Sequence, residues 1–289
     1  MRTVVLAMVT ALGAALVGAV LGWGVWMMRG QPQAEAPALA LMQPLPSAAD
    51  AAIREPRRVG GRMVRATDGA PRLALVIDDI GQSVTQVDDF LALGVPITFS
   101  ILPDLPHTRG SAQRIVRARR EYIIHLPMQP EDYPVHNPGP SPMLLDQSPQ
   151  ETQRLLRAYI AELPDAVGAS NHMGSAYTGD EAHMALVQAE LAKHQLFFLN
   201  SKTNASPVPG RIAAHAGYPY LARDVFLDNE RNVGLISRQI TKAVQRARDR
   251  GYAIAIGHPY GETLTALNNA LARGDLAGVE LIQLSELMR

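Results

Sequence analysis

The chain of 289 residues contains no cysteine. Disulfides, thiol nucleophiles and cysteine-type zinc sites are therefore excluded, and any metal must be held by histidine or carboxylate. There is no excess of either charge, since 27 Lys and Arg balance 27 Asp and Glu. No net field draws the protein to nucleic acid, which is not expected as a partner, so function must come from a local site. A Gly-rich phosphate loop is missing too, which counts against a phosphoesterase.

Charge is also missing from Thr3 to Met28. About 20 apolar residues cross a bilayer as a helix, whereas a cleaved signal peptide has a shorter core of ~7–15. The expectation is an uncleaved single-pass anchor over residues 1–29. Ala34-Glu35-Ala36 and Ala38-Leu39-Ala40 leave signal cleavage and release as the alternative. Residues 30–71, rich in Ala, Pro, Gln and Arg without sustained apolar periodicity, read as a tether. The folded domain is expected over 72–289.

What is present in that domain is a series of short apolar runs separated by helical patterns: 73–78, 97–102, 122–126, 167–170, 196–200, 225–228, 252–257 and 279–284. Continuous apolar strands of this kind are buried on both faces, which implies a parallel sheet covered by helices. Ser148-Pro149-Gln150-Glu151 forms a capping box opening a helix. Thr178-Gly179-Asp180-Glu181 repeats the logic, and Gly94 and Gly251 stand where C-terminal caps belong. The fold class is α/β, a barrel related to the (β/α)₈ type or an open wound sheet of about eight strands, with its chemistry at the strand C-termini. The long Pro-rich segment between His125 and Ser148 reads as a functional loop.

Polar residues recur at those strand ends. Asp78 and Asp79 finish LALVIDDIG, and His125 sits in YIIHLPM. Asn171 and His172 follow the fourth run, Asn200 ends the fifth, Asp228 the sixth, and His258 the seventh. Because successive strand side chains alternate, one of the two aspartates is expected to face the site while the other turns away. A carboxylate with two imidazoles is a familiar divalent-metal set, and hydrolysis is the reaction class it suggests. Taken singly these residues have ordinary explanations: Asp-Asp as a turn, His125 as a core histidine, Asn171 as a turn residue. His107, His136, His183, His194 and His215 are assigned to loops and helices, although His183 lies close enough to its helix start to reach the rim. Tyr133, Tyr177, Tyr218, Tyr220 and Tyr260 lie in loop segments where a sugar face could stack, or where tyrosines simply pack.

The succession VIDDIG, FSILP, IIHLPMQP, NHMGS, FLNSKT, VFLDN and AIAIGHPYGET, spanning roughly Arg72 to Arg289, resembles the divergent polysaccharide deacetylase family. The resemblance implies a distorted (β/α) barrel of about seven to eight strands with a divalent metal, zinc being the expected ion. It implies a polysaccharide or peptidoglycan-type glycan as partner, and an envelope location with the domain in the periplasm, held to the inner membrane by the anchor. Carried over by motif, Asp78 is the catalytic base and His258 the acid, while Asp79, His125 and His172 are the metal ligands. Asn171, Asn200 and Asp228 are substrate-binding or supporting residues. Two departures stand out: the usual pair of histidines on one loop is replaced by His125 and His172 from separate motifs, and Asn200 occupies the place of an aspartate. They favour, as an alternative, an inactive glycan-binding or scaffold protein that keeps the fold.

Overall fold

The computed structural model describes residues 69–288. The anchor expected over 1–29 and nearly all of the tether lie outside them. Among the described residues no helix is long and apolar enough to cross a membrane.

Among the described residues nine strands are present: β1 (Arg72–Ile80), β2 (Thr98–Ile101), β3 (Tyr122–Met128), β4 (Gly168–Met173), β5 (Phe197–Asn200), β6 (Tyr220–Ala222), β7 (Val225–Phe226), β8 (Tyr252–Gly257) and β9 (Glu280–Ile282). Seven helices connect them: α1 (Val84–Leu91), α2 (Thr108–Arg117), α3 (Pro149–Glu162), α4 (Glu181–Lys193), α5 (Val208–Ala216), α6 (Val233–Arg250) and α7 (Gly261–Arg273). Every strand pairing is parallel. The order β6-β5-β4-β3-β2-β1-β8-β7 is the sequence order of a wound barrel cut between β6 and β7. Only Arg223 and Asp224 separate those two edge strands in the chain. Three residue steps span at most about 11 Å. The sheet is therefore curled until its edges nearly meet, and the fold is a parallel α/β open barrel.

The two faces of the sheet are told apart by their partners. Leu73, Leu75, Ile77, Ile124 and Phe198 pack with helix residues such as Val87, Ile115, Leu156 and Ile240. Ala74, Val76, Ile123, Phe197, Leu199, Ile254 and Ile256 form a second cluster that contains no residue of the seven helices, and these fill the barrel interior. The period-2 alternation of each strand puts Asp78, His125 and His258 on that inner face, one or two positions further toward the C-terminal end. A Cβ on Gly168 would lie 2.6 Å from the Phe197 ring, so glycine here makes room for an inward aromatic. Ile282 and Leu284 join the inner cluster from the C-terminal segment, next to the N-terminal end of β1.

Local signals account for the helix starts. Ser148 Oγ accepts from Glu151 N at 3.2 Å, with Pro149 in the first turn. The cap of α4 is Asp180, whose carboxylate accepts from His183 N at 2.9 Å, rather than Thr178; a buried 3₁₀ turn over Tyr177–Gly179 takes up the residues before it. Gly251 closes α6 in the left-handed region at φ 85°. β6 is absent from the sequence-based strand set, because its three half-buried residues carry no clear period.

Candidate active site

The site begins with a defect in β1. Its register with β2 shifts between Ile77 and Ile80, and Asp79 adopts φ 59°. Aspartate tolerates the left-handed region better than most residues, and a bulge re-aims the side chain that carries it. Strict alternation, and with it the expectation that one aspartate turns away, is thereby corrected. Both carboxylates reach His125 Nε2, Asp78 Oδ2 at 3.6 Å and Asp79 Oδ1 at 3.2 Å.

His172 arrives from β4, where Met173 at φ 50° and Gly174 at φ 82° turn the chain sharply outward. A Cβ on Gly174 would meet Met128 Cβ at 2.8 Å, so this turn needs glycine for space as well as for φ. His172 Nδ1 lies 2.8 Å from Asp79 Oδ1. One ligand atom each from Asp79, His125 and His172 falls within 4.8 Å of the others. Asp79 Oδ1 is buried yet satisfies no hydrogen-bond geometry, although two imidazole nitrogens crowd it. Lone pairs converging without shared protons suit a cation, and two imidazoles with a carboxylate suit a divalent one, zinc included.

The electrostatics separate the two aspartates. Burial raises the Asp78 pKa above its ordinary value, only partly countered by His125 and His258. Burial pushes Asp79 the same way, but the close imidazoles of His125 and His172 overcome it and hold the carboxylate well below its usual range. Asp79 is thus favoured as an anion, as a ligand should be, while Asp78 is the more basic of the two.

His258 is held by Asp228, whose Oδ1 lies 2.9 Å from its Nδ1. Asp228 Oδ2 accepts from the His258 backbone N–H and from Thr263 Oγ1 at 2.7 Å. Burial alone would lower the His258 pKa, but Asp228, Asp79 and Asp78 raise it to about 9. Its Nε2 faces inward, 3.7 Å from Asp79 Oδ2. Phe226 meets the ring edge-on at 5.3 Å and Tyr260 stacks on it at 5.4 Å.

The remaining expected residues are placed otherwise. Asn171 is a brace: its Oδ1 accepts from Ser201 N at 2.9 Å, and its Nδ2 donates to Met173 O at 2.9 Å. It ties the turn after β4 to the turn after β5. The Asn200 side chain donates to Tyr220 OH at 3.1 Å and accepts from Lys202 N at 2.8 Å, taking no hydrogen bond to the three ligands. Four of the five tyrosines are packing residues. Tyr177 is fully buried, Tyr218 donates to Leu196 O, and Tyr220 stacks on Phe198. Tyr260 stacks on His258 and also lies against the Arg231 guanidinium at 3.7 Å. His183 is engaged by Asp180 at 2.8 Å.

Ser201 shares the end of the fifth apolar run with Asn200, whereas Arg223 and Ser170 escaped the sequence. Ser201 Oγ reaches Asp78 Oδ2 at 3.5 Å. Arg223, beside Asp78 and over the Phe226 ring at 4.7 Å, donates to Ser201 O at 2.7 Å. It sits in the β6–β7 corner, which gives no strand signal. Ser170 precedes His172 by two residues, so period-2 counting alone places it on the same inner face.

The described residues thus define an open α/β barrel of parallel strands with carboxylates and imidazoles gathered at its C-terminal rim. The model of the divergent polysaccharide deacetylase family matches residues 75–288, and the chain belongs to that family. It is 36% identical over 199 residues to the protein YibQ of Escherichia coli K12, covering 68% of this chain and 61% of that relative's length. It is 34% identical over 224 residues to a protein of Haemophilus influenzae, covering 75% and 77% of the two chains. A crystal structure of a protein from Agrobacterium tumefaciens C58 shares the fold, with a TM-score of 0.70 at 24% identity over 80% of this chain and 92% of that one.

Proposed function

We propose that the protein is a metal-dependent carbohydrate deacetylase that hydrolyses acetyl groups on an envelope polysaccharide. The observation that carries this reading is the convergence of Asp79, His125 and His172 on one point, with Asp79 Oδ1 left without a hydrogen bond, Asp78 3.6 Å from His125 and His258 3.7 Å from Asp79. Membership of the family supports the substrate class.

Asp79, His125 and His172 would hold the metal. A divalent ion there, zinc by preference, supplies a lowered water pKa and polarisation of the acyl oxygen. Asp78, made more basic by burial, takes the proton from the attacking water. His258 stays protonated at neutral pH because three carboxylates face it, and its Nε2 presents that proton to the departing amine or alcohol. Asp228 fixes which nitrogen does so by occupying Nδ1. Asn200 is bonded away from the ligands, so the aspartate-to-asparagine departure removes no hydrogen bond from them.

The anchor and a periplasmic domain belong to the same proposal and rest on the uncharged run from Thr3 to Met28. Metal analysis of the purified protein, paired with acetate release from acetylated glycans, tests the assignment. Bound metal with turnover lost in Asp79→Ala is the expected result. Metal binding with no turnover on any glycan would turn the reading to the inactive glycan-binding alternative.

A further inference from the structure

We propose that Ser170 and Ser100 form a buried two-hydroxyl relay that sets the orientation and tautomer of His125 as a metal ligand. The proposal rests on the metal-site reading above. The two serines act through His125 and are positioning residues.

His125 Nδ1 lies 2.7 Å from Ser170 Oγ, and Ser170 Oγ lies 2.7 Å from Ser100 Oγ. Both serines have 0% exposure and His125 has 2%, so bulk water does not compete for these bonds. The opposite nitrogen, Nε2, is the one that faces Asp79 Oδ1 at 3.2 Å. A neutral imidazole that offers its lone pair at Nε2 carries its proton at Nδ1. That proton points at Ser170 Oγ, which accepts it. Ser170 then donates its own hydroxyl hydrogen to Ser100 Oγ. Ser170 accepts once and donates once, and the direction of both bonds follows from His125 binding a cation.

The opposite direction is just as well satisfied. Ser100 then donates to Ser170 and Ser170 to Nδ1, which moves the imidazole proton to Nε2, where it meets Asp79 Oδ1. That arrangement suits the protein without metal and blocks ligation. Hydroxyl groups can serve both directions by rotating, whereas a backbone carbonyl or a carboxylate at position 170 could only accept. The relay therefore lets His125 exchange a proton-bearing Nε2 for a ligating one while both hydrogen bonds of the relay are kept.

The test measures metal affinity rather than turnover. Zn²⁺ and Co²⁺ binding to the full-length protein is followed by chelator competition for wild type, Ser170→Ala and Ser100→Ala, with Asp79→Ala marking the site. Imidazole ¹⁵N NMR reports which nitrogen of His125 bears the proton. Loss of an outer partner of a ligating histidine typically weakens metal binding 10–100-fold, and about that loss is expected for Ser170→Ala. Ser100→Ala should lose affinity in the same direction but by less, and zinc-loaded wild type should show the proton on Nδ1. Wild-type affinity in Ser170→Ala, or a loaded His125 with its proton elsewhere, overturns the relay. Should Ser170→Ala fail to fold, wild-type affinity in Ser100→Ala overturns it equally. A wild-type protein that binds neither ion overturns the site reading as well, which separates the two failures.

Discussion

At the scale of single residues, two adjacent aspartates have been given different work by their surroundings. Asp79 is stabilised as an anion by two imidazoles, while Asp78 is destabilised as one by burial. Exchanging each for its amide or alanine should separate binding from chemistry. Asp79→Ala is expected to lose stoichiometric metal. Asp78→Asn should keep the metal and lower kcat by about 10²–10⁴, the usual contribution of a positioned base. Equilibrium dialysis and an acetate-release assay read the two effects. His258 gives the pH dependence its alkaline side. Its pKa is raised to about 9, so the protonated acid is present below that value and is lost as pH rises through it. Asp78 must be deprotonated, so activity is also lost as pH falls through its raised pKa. Asp228→Asn removes the nearest carboxylate from His258, and the alkaline limb of the kcat profile should move to lower pH. A limb that stays where it was would assign it to another group.

At the scale of elements, the site depends on three departures from regular structure: the bulge at Asp79, the left-handed turn at Met173 and Gly174, and the open seam between β6 and β7. Long apolar strands were legible in the sequence because burial on both faces leaves a continuous run. The departures were not legible, because each is set by a partner distant in the chain. The bulge is a matter of register against β2, and it alone brings Asp78 and Asp79 to one histidine. The part played by Asn200 was hidden in the same way, since its partner Tyr220 lies on β6, too short to be read. Helix pairing offers a stability test away from the site. Glu190 on α4 is buried beneath Arg157 of α3, with Lys193 also in contact at 2.7 Å. The Arg157 hydrogen bond, and then Lys193, lower its pKa from 4.5 against the cost of burial. A depressed pKa in the folded state contributes stability above the unfolded value that is lost as pH falls through the folded one. Glu190→Gln should therefore melt lower than wild type at pH 7, and the gap should close as pH falls below about 4.5. Thermal scans at several pH values check it, and a gap independent of pH would point to packing instead.

At the scale of the whole molecule, chemistry and closure occupy opposite ends of one barrel. The site lies past Ile77 on β1, whereas β9 pairs with Arg72–Ala74 at the other end of that strand. Six residues at about 3.3 Å each put roughly 20 Å between the two ends. The C-terminal segment closes the lower end with side chains and hydrogen bonds together. Ile282 and Leu284 enter the inner cluster, Leu284 N donates to Thr98 Oγ1 at 2.9 Å, and Ser285 N donates to Glu121 Oε1 at 2.9 Å. Thr98 Oγ1 donates in turn to Glu121 Oε1 at 2.7 Å, so β2 and the start of β3 are fastened to the chain terminus. Leu284 is fully buried, and a leucine in such a place costs about 2–5 kcal/mol on truncation to alanine. No hydrogen bond joins Leu284 to Asp79, His125 or His172, and residues without shared partners act additively. Leu284→Ala is therefore expected to lower the unfolding free energy by an amount in that range, read as a lowered denaturant midpoint at unchanged slope, with zinc affinity of the folded protein unchanged. Gly168→Ala should behave in the same manner from inside the barrel, costing about 1–3 kcal/mol as the new methyl is forced against the Phe197 ring. A loss of metal affinity in either variant under folding conditions would mean that the two ends are coupled through the inner cluster, and that the rim ligands depend on how the bottom of the barrel is filled.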